Sequence, residues 1–151
     1  MTFTQKETTL LNDMKGQEEL CTQKYRKYAD LARSTELKAL FDAMAQVEQN
    51  HLTTITSMIN GNVTAPPKTL ENSNNAHCVK YSYTTDKDRQ DDAFLCKDML
   101  VMEKHASALY DTCVFEFKDP TARQMLNHIQ SEEQQHGEQL YAYMSCNGMY
   151  S

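Results

Sequence analysis

Glu48 and His51 stand in "AQVEQNHLTT", and Glu133 and His136 stand in "SEEQQHGEQL". Glu-x-x-His therefore occurs twice, 85 residues apart. Residues three apart on a helix share a face, and carboxylate with imidazole is a donor set suited to iron or manganese. Two more glutamates obey the same rule: Glu18 precedes Glu48 by 30 residues, and Glu103 precedes Glu133 by 30. If each pair belongs to a helical hairpin, the bends fall at residues 33 and 118, and each glutamate lies about 15 residues from its bend, level with its partner. Tyr25 and Tyr110 each follow the first glutamate of their half by seven residues. They could hydrogen-bond the ligand carboxylates from behind, plain packing being the alternative.

Four carboxylates converging in a bundle core repel one another and lose hydration, at a cost of several kcal/mol per ion. Two divalent cations would cancel their charge and leave two neutral imidazoles as ligands. The candidate metal ligands are thus Glu18, Glu48, His51, Glu103, Glu133 and His136. With 11 glutamates and five histidines, chance alone supplies about 0.4 Glu-x-x-His matches, so one copy carries little weight. Two copies with partner glutamates at equal spacing carry far more. Glu19 could replace Glu18, and Glu132 could reach His136 from four residues away; the repeat register favours Glu18 and Glu133. His105, His128 and His77 have no place in the repeat and are expected to be structural or peripheral. Methionines and cysteines at helical spacing are expected in the core.

Helices must carry these residues. Thr4 with Glu7 has the form of a capping box, Ser34 is a good N-cap, and Asp119-Pro120 is an N-cap followed by proline at the first helical position. Asn60-Gly61 and Asn147-Gly148 are helix stops. Leu10, Met14, Cys21, Tyr25, Tyr28 and Ala32 recur at helical steps, as do Leu37, Leu40, Phe41, Met44, Val47, Ile55 and Met58. The spacing predicts helices at about 5–33, 35–60, 88–118 and 120–146, with a connection at about 61–87. In that connection the alternation of Val79, Tyr81 and Tyr83 suggests an extended strip along the bundle. A shift of 85 aligns Leu10 with Leu95, Met14 with Met99 and Ile55 with Leu140, the pattern of an internal duplication. The expected fold is all-α: one domain over 1–151, a four-helix bundle of two hairpins joined by a long crossover.

Charge and composition narrow the class. A net charge of −6 and a pI near 5.3 argue against nucleic acid or an anionic membrane as partner. No run of about 20 apolar residues could span a bilayer, and the polar start "MTFTQKETTLLNDMK" has no signal-peptide pattern. Five cysteines without a Cys-x-x-Cys pair fit reduced thiols in a cytoplasm better than a disulfide framework.

At these residues the chain resembles the ferritin-like superfamily, which includes rubrerythrins and bacterioferritins. "GQEELCTQKYRKYADLA" is similar to a rubrerythrin first helix, with tyrosine seven residues after the ligand glutamate. Over its full length, through "EELCTQKYRKYADLA", "QVEQNHLTTI", "NHIQSEEQQHGEQLYAYM" and "NGMY", it resembles ferritin-like proteins of the spore coat protein F type. The resemblance implies a ferritin-like bundle holding two Fe ions, with Mn as an alternative, on the six ligands. It further implies reaction with O2, peroxide or Fe(II), with electrons returned by a donor. The cysteine-ligated domain of rubrerythrins is not present, so the expected donor is a separate protein, and no extra glutamate beyond the six is evident. Location in a cytoplasm or spore coat, spore coat proteins as partners and a homodimer are compatible with this resemblance. Two other functions remain beside a redox enzyme: a structural coat protein in which metal is a staple, and iron binding without turnover.

Overall fold

A computed structural model describes residues 1–68 and 78–150. It contains four helices, α1 (Gln5–Leu31), α2 (Thr35–Ile59), α3 (Asp86–Glu116) and α4 (Pro120–Cys146), and no strand among the described residues. The N-caps are made as their sequences require. Thr4 and Glu7 exchange hydrogen bonds in a capping box, the Ser34 hydroxyl accepts from Leu37 N–H at 3.0 Å, and Asp119 Oδ1 accepts from Ala122 N–H at 2.7 Å. Gly61 and Gly148 adopt φ of +84° and +65°, the left-handed conformation that costs glycine least.

α1 packs against α2 and α3 against α4, with α1 also lying against α3. The chain thus forms an all-helical four-helix bundle of two hairpins. The end of α2 and the start of α1 share one end of the bundle, where the Met1 ammonium donates to Gly61 O at 2.9 Å. α3 begins at the opposite end, so the connection between α2 and α3 must traverse the bundle. Part of that connection, including the Asn/Ser-rich run and His77, lies outside the described residues.

The two hairpins are tied to each other at both ends. Asp92, buried in α3, accepts from the backbone N–H groups of Arg33 (2.8 Å) and Ser34 (3.0 Å) at the α1–α2 turn. Glu7, 85 residues earlier, accepts from Lys118 N–H (3.0 Å) at the α3–α4 turn. These ties explain why α1 and α3 stop about two residues short of the expected bends. Ala32 and Phe117 leave helical geometry, so that the residues after them, Arg33 with Ser34 and Lys118, present backbone donors to the opposite hairpin. α3 also begins two residues early, because Thr85 serves as its N-cap and accepts from Asp88 N–H at 3.1 Å.

Apolar side chains form two layers. One, near the α1–α2 turn, includes Phe41, Met44, Met99, Leu140 and Met144. The other, near the α3–α4 turn, includes Leu11, Met14, Ile55, Leu126 and Ile129. A fully buried side chain of this size contributes about 1.5–3 kcal/mol, and these layers offset the cost of the acidic layer between them.

The expectation of five reduced cysteines is corrected. Cys78 and Cys146 form a disulfide, with Cα atoms 5.6 Å apart, while Cys21, Cys96 and Cys113 are free and buried. The pair is separated by 68 residues, so no local spacing announces it. It arises because Asn147 binds the strip after Cys78: its Nδ2 donates to Val79 O (2.9 Å), and its Oδ1 accepts from Tyr81 N–H (3.0 Å). Tyr83, further along the strip, donates to Asp92 Oδ2 at 2.7 Å and lies 2.8 Å from the Tyr143 hydroxyl.

Candidate metal centre

Each helix delivers its share at one level of the bundle: Glu18 from α1, Glu48 and His51 from α2, Glu103 from α3, and Glu133 and His136 from α4. None of the six is more than 4% exposed. Their potential ligand atoms fall into two groups, each with all members within 4.8 Å of one another: Glu18, Glu48, His51 and Glu133, and Glu48, Glu103, Glu133 and His136. Glu48 and Glu133 belong to both. One carboxylate and one imidazole are left at either end, with two carboxylates between. Clusters of this composition could hold metal ions.

Hydrogen bonding within the cluster is incomplete. His136 Nδ1 lies 3.0 Å from Glu48 Oε1 and 3.3 Å from Glu103 Oε1, and His51 Nδ1 lies 3.1 Å from Glu48 Oε2. Yet Glu18 Oε2, Glu103 Oε2 and both oxygens of Glu133 are buried without a hydrogen-bond partner. The 3.0 Å approach of His51 Nδ1 to Glu133 Oε1 is not aligned as a hydrogen bond. Buried carboxylate oxygens are rarely left unpaired, because the lost hydration is not replaced. Four such atoms beside two imidazole nitrogens fit a cation-binding role.

The side chains alone settle part of the charge with protons. Burial, joined by the neighbouring Glu48 carboxylate, raises Glu18 to about 8. Burial also pushes Glu133 well up, with Glu103 adding to the effect. Glu48 moves the other way: burial opposes its charge, but hydrogen bonds from His136 and His51 hold it far below the usual carboxylate range. Burial disfavours a charged His136, yet Glu103 and Glu48 carry it to about 9. Cys21, packed below the four glutamates, is driven strongly up by burial and by their charges, so it remains a thiol.

The two tyrosines hydrogen-bond across the hairpins. The Tyr110 hydroxyl donates to Glu18 Oε1 at 2.5 Å, and the Tyr25 hydroxyl donates to Glu103 Oε1. Each hairpin thereby steadies the glutamate of the other. Glu18 rather than Glu19 points inward; Glu19 is exposed. Glu132 does not reach His136. It accepts instead at 2.7 Å from His51 Nε2 on the facing helix, and its other oxygen meets His128 Nε2 at 2.8 Å. A seventh glutamate therefore adjoins the cluster, and His128 is part of its support. The repeat could not have revealed either, since the positions 85 residues earlier are Val47 and Ala43. His105 is exposed, as expected.

A family model described as the Coat F domain matches residues 91–151. That stretch contains Glu103, Glu133 and His136 but not Glu18, Glu48 or His51, so the segments of α1 and α2 that suggested the same resemblance lie outside it. No curated protein and no solved structure matches the chain.

Proposed function

We propose that this chain is a ferritin-like dimetal carboxylate protein, with a pair of iron ions held by Glu18, Glu48, His51, Glu103, Glu133 and His136 and manganese as the alternative metal. The observation that carries the reading is the set of four unpaired, buried carboxylate oxygens within two overlapping groups that share Glu48 and Glu133. Four carboxylates balance two divalent cations, and oxygen with imidazole nitrogen is a donor set that iron and manganese accept. When bound, an iron pair supplies electron exchange with O2, peroxide or Fe(II).

The protein's own contribution is positional. Tyr110 and Tyr25 fix the outer carboxylates Glu18 and Glu103. The hydrogen bond from His51 Nε2 to Glu132 turns Nδ1 inward, the arrangement in which an outer carboxylate selects the tautomer of a metal-binding histidine. The apolar layers above and below keep bulk water from the two ends of the cluster, which strengthens the charge interactions inside it. Electrons would come from a separate donor protein.

The test is oxidant consumption. Protein loaded anaerobically with Fe(II) is expected to consume O2 or H2O2 in proportion to bound iron, and Glu48→Ala/Glu133→Ala is expected to consume none above free iron. Metal binding without consumption would reduce the function to iron holding.

A structural role in a spore coat is the second reading. The Coat F match supports association with a coat and with coat proteins. Large exposed apolar side chains, Phe115 at 85% and Phe94 at 68%, are compatible with packing against other chains, a second copy included. Under this reading metal raises thermal stability but no oxidant is consumed.

A further inference from the structure

Among the described residues, two clefts reach the buried cluster. The larger, of about 520 Å³, opens between α3 and α4 and is lined by Glu103 and Glu133 at depth, with Lys104 and Asp111 exposed toward its mouth. The smaller, of about 290 Å³, lies between α2 and α4 and meets His136 beside Met44 and Val47. Only the first is lined by residues that carry unpaired carboxylate oxygens, Glu103 Oε2 and both oxygens of Glu133. Those atoms attract a cation, and the chain's net charge of −6 favours its approach.

Gly137 lines the same cleft, in the middle of α4. A helix-interior glycine costs about 1 kcal/mol relative to alanine, and no steric demand requires it here. A Cβ at this position would meet Leu100 Cδ1 at 3.7 Å and nothing nearer, which is ordinary contact. The position 85 residues earlier is Leu52, and α1 and α2 pack more closely than α3 and α4 do. The two hairpins thus differ at this position, which carries a half-buried leucine in the first and no side chain in the second.

We propose that the α3–α4 cleft is the entrance through which a hydrated divalent cation reaches the glutamates, and that Gly137 holds it open. The inference rests on the dimetal reading of the cluster. It assigns no new ligand; it names the path and the residue that controls it.

The test is the rate at which metal-free protein takes up Co2+, followed by the visible absorption of the bound ion, with final stoichiometry measured separately. Gly137→Leu is expected to slow uptake by roughly tenfold or more while the final cobalt content stays at the wild-type value. Ala108→Leu, an exposed position lining the cleft from α3, is expected to slow it as well and guards against a folding defect in α4. Leu52→Gly is expected to leave the rate unchanged or raise it. Wild-type uptake rates in both plugged variants would overturn the entrance, as would slowing by Val47→Phe alone, which would place the path at the smaller cleft. Failure of the wild-type protein to bind cobalt would overturn the dimetal reading and the entrance with it; the plugged variants overturn the entrance alone.

Discussion

The hydroxyl of Tyr110 shows how much of the candidate site depends on single atoms. It is the one donor to Glu18 Oε1 from the opposite hairpin, and the other oxygen of that carboxylate is unpaired. Tyr110→Phe keeps the ring packed in the core and removes only this bond. The expected result is a roughly 10- to 100-fold loss of metal affinity, the usual cost of losing an outer partner of a ligand, measured by competition with a chelator, with the helical circular dichroism unchanged. Unaltered affinity would mean that the tyrosine is packing alone. At this scale the sequence disclosed what obeys the repeat. Glu18, Glu48 and Glu103 could be placed because each has a counterpart 85 residues away, and Glu19 could be set aside on register. Glu132 was set aside in favour of Glu133 and His128 was left structural or peripheral, because their counterparts are Val47 and Ala43. Glu132 is also not aimed along its own helix toward His136, as a spacing of four suggests; it crosses to His51, a direction that only interhelical packing decides.

Helix ends are where the elements are bound together. Glu7 closes the capping box of α1 with one oxygen, at 2.7 Å from Thr4 N–H, and accepts from Lys118 N–H with the other at 3.0 Å. Burial works against its charge, but these backbone donors outweigh burial and lower its pKa from the ordinary carboxylate value. A lowered folded-state pKa means stability that is fully present above the unfolded carboxyl's pKa, about 4.3, and that is lost as pH falls through the lower folded value. Glu7→Gln is therefore expected to cost roughly 1 kcal/mol in urea unfolding at pH 7, with a smaller deficit at a pH below about 4.3. An equal deficit at both pH values would mean that the carboxylate charge does not matter to the tie. The starts of α1, α2 and α4 were legible because Thr4, Ser34 and Asp119 cap locally. The ends of α1 and α3 were not, since Arg33 and Lys118 donate to acids some 59 and 111 residues away. Core positions blurred for a similar reason: Leu10 is only half-buried, while Leu11 is fully buried, a one-residue rotation of α1 that an approximate helical period does not resolve.

The whole molecule is two similar hairpins that share one acidic layer between two apolar layers. The pairing of Glu7 with Lys118 and of Asp92 with Arg33 repeats the twofold relation of the sequence, as do the exchanged tyrosines. Three features break it: the Glu132–His128 support of His51, Gly137 where the repeat has Leu52, and the Cys78–Cys146 bridge. Closing a loop of that length restricts the unfolded chain by about 4 kcal/mol in the chain-entropy estimate, a gain available only while the disulfide stays oxidised. The duplication made the bundle and the convergence of six glutamate and histidine side chains legible; the departures from it required coordinates. What the molecule is built around is the buried glutamate–histidine cluster, and its metal stoichiometry is the direct test. After anaerobic Fe(II) loading and removal of free metal, elemental analysis is expected to find about two irons per chain in the wild type, the number of cations that balances four buried carboxylates. Glu48→Ala/Glu133→Ala, which removes both shared carboxylates, is expected to retain none while remaining helical. A folded wild-type protein without iron, or equal iron in both proteins, would contradict the account.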